Sequence, residues 1–227
     1  MSDYSNVKVY VGTYAKYNNG FLDGKWFTPA DYDSYDDFMD AIRKFHSDES
    51  DPEFMYQDEE FLPSSLYSES GFDEEAFDYC KYVSEHTDKA FGAYCWMDNF
   101  NDTWDADNFE SSFMGEYDSA EDYCWQFIED CGGLTEALSR DTLEMYFDYE
   151  SFGRDVKMDL DGEDEWEREL LDMSDYDCGE EYIDSFGGIE YAGECHLESY
   201  FNMEMFARDC QLDGSFDYYN GCIFVQY

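Results

Sequence analysis

Apolar and polar residues alternate at the start of the chain in the pattern of a small sheet. Three valines fall on one face of residues 7–14, which predicts a half-buried strand. The Asn-Asn-Gly sequence at 18–20 predicts a hairpin turn, and residues 24–27 the strand that returns from it. Residues 54–57 are the third predicted strand, so a sheet with one helix is expected to end near Pro63.

The helix of this first domain is predicted to begin after Ser34. This residue type is a favourable N-cap, and acids in the first turns suit the positive end of the helix dipole. The apolar residues recur at spacings of three and four, and those expected to face inward are Tyr35, Phe38, Ile42 and Phe45. The acids of the first turns are expected to face water.

From Ser64 onward the spacing of apolar residues becomes helical. The predicted helix starts are Asp73, Thr87, Asp105 and Asp118, and the last of these helices should stop at Gly132-Gly133. The residues expected to face inward are Phe77, Cys80, Ser84, Phe109, Phe113, Tyr123, Phe127 and Ile128. A further helix is predicted over 166–173, and the chain should end in a turn at 220–221 followed by a strand over 222–225.

One stretch of seventeen residues occurs twice, at 143–159 and at 197–213. Nine of the seventeen positions are identical, and each copy follows a Gly-Gly pair. The identical pairs are Leu143/Leu197, Glu144/Glu198, Tyr146/Tyr200, Phe147/Phe201, Glu150/Glu204, Phe152/Phe206, Arg154/Arg208, Asp155/Asp209 and Asp159/Asp213. A repeat of this length predicts one structural unit built twice.

Within the first copy the pattern predicts a strand or turn, then a helix, then a strand. Asp148 is a favourable N-cap, and Phe147 before it can pack on the first turn. Phe152 is expected on the inner face, and Gly153 at a helix exit or a close approach of two backbones. Residues 156–160 alternate and are predicted to form the strand.

The repeated arginines support a second interpretation of this motif, in which it binds carboxylates or a partner. A small packing module explains the apolar positions equally well. In a chain with so few cations, however, Arg154 and Arg208 are expected to be held by carboxylates or by a partner surface.

Composition sets the next constraint. The chain has 58 acids against 12 lysines and arginines, a formal net charge of −46 over 227 residues. Few aliphatic residues with a high net charge usually indicate disorder. The 22 Tyr, 20 Phe and 5 Trp indicate the opposite, because each aromatic side chain can bury roughly 150–250 Å². We therefore expect a folded α+β protein.

Four parts are predicted: a small α+β domain at 1–63, a helical middle domain at 64–115, and two copies of an α+β motif module at 116–162 and 163–227. The whole is expected to be an elongated rod. An acidic connector at 159–165 should keep the two motif copies apart.

Metal, catalytic and membrane functions find little support. The eight cysteines include no Cys-x-x-Cys pair and are expected to be reduced, mostly buried thiols of a cytosolic protein. His46, His86 and His196 have no plausible second ligand beside them, so no enzyme activity, metal or cofactor is predicted. The chain contains no apolar run long enough for a membrane span, and its start does not have the pattern of a signal peptide.

The amount of charge is comparable to that of a nucleic acid. At the spacing of B-DNA, 46 charges correspond to about 23 base pairs, or roughly 78 Å of helix axis. A compact globule of 227 residues would be only about 45 Å across, so confining the charge there costs free energy in self-repulsion. A rod that mimics DNA, and so occupies the cationic groove of a DNA-binding protein, is the function that this pattern favours.

The acids expected to take the place of phosphates are Asp31, Asp33, Asp36, Asp37, Asp40, Asp73, Glu74, Glu75, Asp118, Glu121, Asp122, Glu163, Asp164 and Glu165. The residues expected to form the motif or an interface are Leu143, Tyr146, Phe147, Phe152, Gly153, Arg154, Leu197, Tyr200, Phe201, Phe206 and Arg208.

Four segments resemble the ArdA antirestriction family: residues 9–20, 24–26, 51–58 and 146–155, the last being similar to the family's antirestriction motif. The resemblance covers most of the chain. It implies a cytoplasmic protein of phages or mobile elements that binds type I restriction-modification enzymes in place of DNA. It also implies a three-part architecture and an elongated homodimer, formed through the motif-bearing C-terminal region.

The chain departs from that pattern because it carries a second motif copy. The two copies could pack on each other inside one chain, or one copy could pair with a neighbouring chain. We favour the second arrangement, since the second copy is richer in apolar residues.

Three other classes of function stay open. The chain could mimic DNA for another target, such as a histone-like protein or a different nuclease. It could also be an acidic globular protein of the halophilic type. A calcium-binding protein is a further alternative, although residues 159–165 lack the ligand spacing of an EF-hand.

Overall fold

The computed structural model describes residues 3–101, 103–191 and 197–225. The chain divides into two compact units. Unit 1 comprises Met1–Glu116 with Tyr219–Tyr227, and unit 2 comprises Tyr117–Tyr218. Two three-stranded sheets accompany the helices, so the predicted α+β class is confirmed. In the described part of the chain no helix has the length and apolar character needed to cross a membrane.

The first sheet of unit 1 consists of β1 (Lys8–Thr13), β2 (Lys25–Phe27) and β3 (Phe54–Glu60), in the order β2-β1-β3. Both neighbours are antiparallel to β1. The three predicted strands are confirmed, but the connection between the first two is not a tight hairpin. It contains a short helix, α1 (Tyr14–Asn18), whose first turn is capped by the Thr13 hydroxyl.

The other helices of unit 1 are α2 (Tyr35–Phe45), α3 (Glu74–Glu85), α4 (Ala90–Asn99) and α5 (Ala106–Ser112), with a 3-10 turn at Pro29–Asp31. The predicted caps Ser34, Asp73 and Asp105 each accept a hydrogen bond from a backbone amide of the first turn. The predicted start at Thr87 was wrong, since α4 begins at Ala90.

The aromatic residues build the core of unit 1. Phe38, Phe77, Tyr79 and Phe109 are buried there together with the valines of β1 and Ile42. Two predicted inward positions were wrong: Phe45 is 41% exposed, and Ser84 is only partly buried while its neighbour Val83 faces the core.

Strands β4 (Phe113–Glu116), β5 (Asp217–Tyr219) and β6 (Cys222–Phe224) form the second sheet in the order β4-β6-β5. The turn between β5 and β6 is the predicted one. Both of its central residues have positive φ, 52° at Asn220 and 88° at Gly221, which suits an Asn-Gly pair. Phe113 was predicted on a helix but lies in β4.

Unit 2 is helical: α6 (Ala120–Asp130), α7 (Leu134–Ala137), α8 (Arg140–Tyr146), α9 (Tyr149–Asp159), α10 (Glu165–Asp172), α11 (Asp175–Ser185) and α12 (Met203–Leu212), with 3-10 turns at Ile189–Tyr191 and Leu197–Ser199. The expected stop of α6 at Gly132-Gly133 is confirmed. Phe127 was predicted to face inward and is 48% exposed.

The predicted strand at 156–160 was wrong, because α9 continues to Asp159. Two tertiary contacts hold this last turn in helical form. Lys157 donates hydrogen bonds to the carbonyl of Met173 and to Asp175 at the start of α11. Met158, which the alternation placed on a strand, is 71% exposed.

Candidate functional site: the paired motif copies and the acidic surface

The two motif copies pack directly against each other within one chain. Phe147 and Phe201, which are equivalent in the repeat, form an antiparallel β-bridge. The amide of Asp148 donates to the carbonyl of Tyr200 at 2.9 Å, and the amide of Asn202 donates to the carbonyl of Tyr146 at 2.8 Å. The expectation that the acidic connector separates the copies was therefore wrong.

Side chains repeat this reciprocity. The Tyr146 hydroxyl donates to Asp209 at 3.0 Å, and the equivalent Tyr200 hydroxyl donates to Asp155 at 2.8 Å. Each tyrosine thus binds the acid of the other copy. Since both exchanges link equivalent residues, the centre of unit 2 has local pseudo-twofold symmetry.

Helix packing in unit 2 exchanges partners between the copies. Helix α9 of the first copy packs on α11, which precedes the second copy, whereas α12 of the second copy packs on α6, which precedes the first. The helices α6 and α11 are equivalent as well. Each is capped by a serine and ends at a Gly-Gly pair, as at Ser119 and 132–133 and at Ser174 and 187–188. The repeat therefore extends upstream of the motif. The serine caps and the Gly-Gly pairs are the features by which the sequence alone could have indicated this extension.

Contact between α9 and α11 depends on two glycines. A Cβ on Gly153 would lie 1.8 Å from the carbonyl oxygen of Asp175, and one on Gly179 would lie 2.3 Å from that of Tyr149. The backbones of the two helices thus touch. The predicted close approach at Gly153 is present, but in mid-helix and not at a helix exit.

Most of the predicted motif residues are core residues of unit 2. The buried ones are Leu143, Tyr146, Phe147, Phe152, Gly153, Leu197 and Phe201, while Tyr200 and Phe206 are partly buried. The Phe206 ring packs against those of Tyr146 and Phe201 at centroid distances of 5.3 and 5.6 Å. The capping of α9 by Asp148 and the packing of Phe147 on Phe152 follow the expected pattern.

The repeated arginines differ from each other. Arg154 lies 3.6 Å from both Glu150 and Asp175, so carboxylates hold it as expected. Arg208 is exposed, and the ion pairs between described residues do not include it.

The predicted phosphate-mimicking acids lie mostly on the surface. Twelve of the fourteen are exposed, and Glu75 and Glu121 are half-buried. Several also have local roles: Asp73 and Asp164 cap helices, and Asp40 pairs with Arg43 at 2.8 Å. Among the described residues the eleven ion pairs involve ten acids. Most acids of the described residues are therefore exposed and belong to none of these ion pairs.

Because so many carboxylates are unpaired, moderate salt should stabilise the fold. Raising sodium chloride from about 0.01 to 0.1 M shortens the screening length from about 30 to 10 Å, and we expect the melting temperature to rise by about 5 °C. Choline chloride should give the same rise, since the effect is screening and not cation binding. A melting temperature that stays flat or falls with salt would show that the charges are better paired than the structure indicates.

His46, Asp48 and Glu49 are the one group in the described residues whose ligand atoms lie close enough to hold a metal ion. The prediction that His46 has no nearby second ligand was wrong. The Lys16 ammonium already lies among these groups, 3.2 Å from His46 Nδ1, 3.1 Å from Asp48 and 3.9 Å from Glu49. A bound cation would have to displace this ammonium, so the cluster is a charge network that runs from the buried His46 to the exposed Asp48.

The contacts of His46 show which ring nitrogen carries the proton of the neutral imidazole. Lysine has no acceptor, so Nδ1 accepts from Lys16, and Nε2–H donates to the Val11 carbonyl at 3.3 Å. Burial is the main cause that lowers the pKa of His46, and the Lys16 charge lowers it further. The hydrogen bond to Val11 and the nearby Glu49 and Asp48 oppose this shift.

Stability should therefore fall on mild acidification. With a depressed pKa in the folded state, His46 contributes its full stability above its unfolded pKa of about 6.5 and loses it as the pH falls below that value. Urea unfolding should give a lower free energy at about pH 5.5 than at 7.5. The His46→Gln variant, whose amide can make both hydrogen bonds, should lose most of this difference. An equal pH dependence in both proteins would contradict the assignment.

The cysteines among the described residues are free. Those at 80, 95, 124, 178 and 222 are buried, Cys210 is partly buried and Cys131 is exposed. Burial raises the pKa of the Cys124 thiol to about 12, so this group is protonated and unreactive at neutral pH. Cys195 and His196 lie outside the described residues.

A family model described as antirestriction protein (ArdA) matches residues 9–167. Neither the curated proteins nor the solved structures include a match to this chain.

Proposed function

Because the chain belongs to the ArdA family of antirestriction proteins, we propose that it inhibits type I restriction-modification enzymes by occupying their DNA-binding groove. It acts as a DNA mimic and not as an enzyme, in the cytoplasm of a bacterial host that a phage or mobile element has entered. Its partner is the enzyme, and nucleic acid is the ligand that it replaces.

The single observation that carries this proposal is the exposed and mostly unpaired carboxylate surface of the described residues. Twelve of the fourteen nominated acids are exposed, in a chain of net charge −46. A groove that neutralises DNA phosphates releases counterions, and much of its affinity comes from that release. Carboxylates on a folded surface can replace the phosphates in the same exchange.

Displacement of DNA from a purified type I methyltransferase tests the proposal. We expect near-stoichiometric displacement that weakens steeply as salt rises, as it does for DNA itself. No displacement at low salt, or displacement without salt dependence, would overturn it.

The same surface would suit another DNA-binding protein, which is the second candidate. Repeating the displacement with a histone-like protein and with an unrelated nuclease separates the two. Tighter binding to either of them than to the methyltransferase would favour this alternative.

The internal pair of motif copies bears on self-association. The Phe147–Phe201 bridge and the exchanged tyrosine contacts occupy, within one chain, residues that were expected to pair two chains. We propose that this internal pair replaces a contact between subunits.

Sedimentation equilibrium at micromolar concentration should accordingly give a monomer of 26.8 kDa. The Phe206→Asp variant should lower stability without changing the mass, because Phe206 packs inside unit 2. A wild-type homodimer that this substitution dissociates would instead support pairing of the second motif copy with a neighbouring chain.

A further inference from the structure

Four large apolar side chains are exposed close together in the sequence. Tyr17 is 50% exposed, Phe21 64%, Leu22 75% and Trp26 37%. They belong to α1, to the loop that follows it and to β2. Exposure of single apolar residues is ordinary, but a cluster of them marks a site of interaction. Mimicry of phosphates by carboxylates does not explain why these apolar side chains are exposed.

The segment that carries these side chains is held in a fixed position. The Tyr10 hydroxyl donates to the carbonyl of Leu22 and accepts from the amide of Gly24, both at 3.1 Å. Gly24 lies so close to the Tyr10 ring that a Cβ there would be 2.6 Å from it. The ring of Trp26 packs against Tyr10 at 5.5 Å. The loop is thus tied to the outer face of the first sheet, and binding there would cost little ordering.

Three of the four exposed side chains, Tyr17, Leu22 and Trp26, line a groove of about 480 Å³, here named the Trp26 groove. Its aromatic and aliphatic wall comes from Tyr10, Tyr17, Leu22 and Trp26. Asp58, which pairs in register with Tyr10, and Glu69 also line the groove. Every one of these residues belongs to unit 1.

The acids of the groove are available to a cation. Asp58 accepts a hydrogen bond from the Glu59 amide, and Glu69 accepts one from the Tyr14 hydroxyl. Neither is in an ion pair with a described residue. Lys8, on the same sheet face, is already paired with Glu60 at 2.7 Å. The lining residues therefore combine two carboxylates with aromatic faces and include no basic side chain.

This combination selects one chemical group. A purely apolar ligand would bury the carboxylates without partners, and a phosphate would be repelled by them. A lysine can pair with a carboxylate and can place its ammonium over a ring, as Lys25 does over Phe27, but it has no planar group that stacks flat. A guanidinium does both, because it is planar, lies flat on aromatic rings and donates in pairs to carboxylates.

We propose that the Trp26 groove receives an arginine side chain from a basic protein partner. The inference rests on the proposed function, since it gives the partner enzyme a contact that DNA does not make. Because apolar burial is hardly screened by salt, this contact would hold the complex when ionic strength weakens the mimicry of phosphates.

A direct test uses the blocked dipeptide acetyl-Arg-Arg-amide, with acetyl-Lys-Lys-amide as the control probe. The indole N–H resonance of Trp26, assigned from its loss in Trp26→Phe, is followed by NMR at about 0.3 M sodium chloride, where diffuse attraction is screened. The arginine probe should shift it saturably, with an affinity about threefold or more above that of the lysine probe.

Two double variants with the same loss of charge complete this test. Asp58→Asn with Glu69→Gln should weaken arginine binding about tenfold, whereas Asp36→Asn with Asp37→Asn on α2 should change it less than about twofold. An unmoved Trp26 resonance, equal shifts with both probes, or equal weakening in both variants would overturn the proposal.

The second arm uses the methyltransferase. Phe21→Ser with Leu22→Ser changes only strongly exposed side chains, so the fold should be retained, which the melting temperature checks. This variant should displace DNA about tenfold less well with an unchanged salt slope, unlike neutralised acids, which lower the slope. Displacement equal to that of the wild type would overturn the assignment to this partner. If the wild type itself displaces no DNA, the proposed function fails while the dipeptide result still decides the groove.

Discussion

Replacing Gly153 with alanine is expected to destabilise unit 2 by about 3 kcal/mol, at the upper end of the usual cost of overpacking a core. The new Cβ would lie 1.8 Å from the Asp175 carbonyl oxygen and 2.6 Å from the Gly179 amide nitrogen. Both are backbone atoms, which cannot rotate away as a side chain can. Helices α9 and α11 would have to separate, and the packing of Phe152 would loosen with them.

Urea unfolding measures this loss, and Gly71→Ala is the matched control. Gly71 has an ordinary φ and open space around its Cβ position, so alanine there should change stability by less than about 0.5 kcal/mol. The second copy has Ala207 at the position equivalent to Gly153, which shows that the exchanged helix pair α6–α12 accepts a methyl group there. A Gly153→Ala variant as stable as the wild type would mean that α9 and α11 do not touch.

Neutralising the acids at the start of α2 should weaken inhibition progressively. Single changes to asparagine at Asp33, Asp36 or Asp37 are each expected to cost less than about twofold, because counterion release is shared among many charges. The fourfold variant that also changes Asp40 should lose about 30-fold at low salt and show a smaller salt slope. These four side chains are exposed, so the loss should not reflect unfolding.

DNA displacement across a series of salt concentrations measures both quantities. The control changes the same four aspartates to glutamate, which keeps the charge and should retain nearly full inhibition. A single substitution that abolished inhibition would contradict mimicry by distributed charge, and would indicate a catalytic or metal site instead.

The local elements of this protein could be predicted because they depend on neighbours in the sequence. Ser34, Asp73 and Asp148 cap helices where they were expected to, since a short polar side chain bonds an amide only three residues away. The Asn220-Gly221 turn follows from the positive φ that both residues accept. Likewise the aromatic core of unit 1 follows from a composition that offers little else to bury.

The candidate site was less accessible to sequence. The acids of the surface could be nominated because carboxylates stay in water. The Trp26 groove could not, since its wall and its acids come from segments that only sheet pairing brings together. Nor could the position of Lys16 beside His46, thirty residues away in the chain.

By itself the sequence determined the strands of the first sheet, the caps at Ser34, Asp73, Asp105 and Asp148, the repeat and the charge of this protein, because each is a property of adjacent or regularly spaced residues. Only the tertiary structure decided how the two copies meet. The same pattern of apolar residues allows each motif helix to pack on the helix of its own copy or on that of the other. Packing on the other copy is selected by the close backbone contact at Gly153 and Gly179 and by the exchanged hydrogen bonds of Tyr146 and Tyr200. Contacts between distant segments also explain why α9 extends into residues 156–160, whose alternating apolar and polar residues predict a strand.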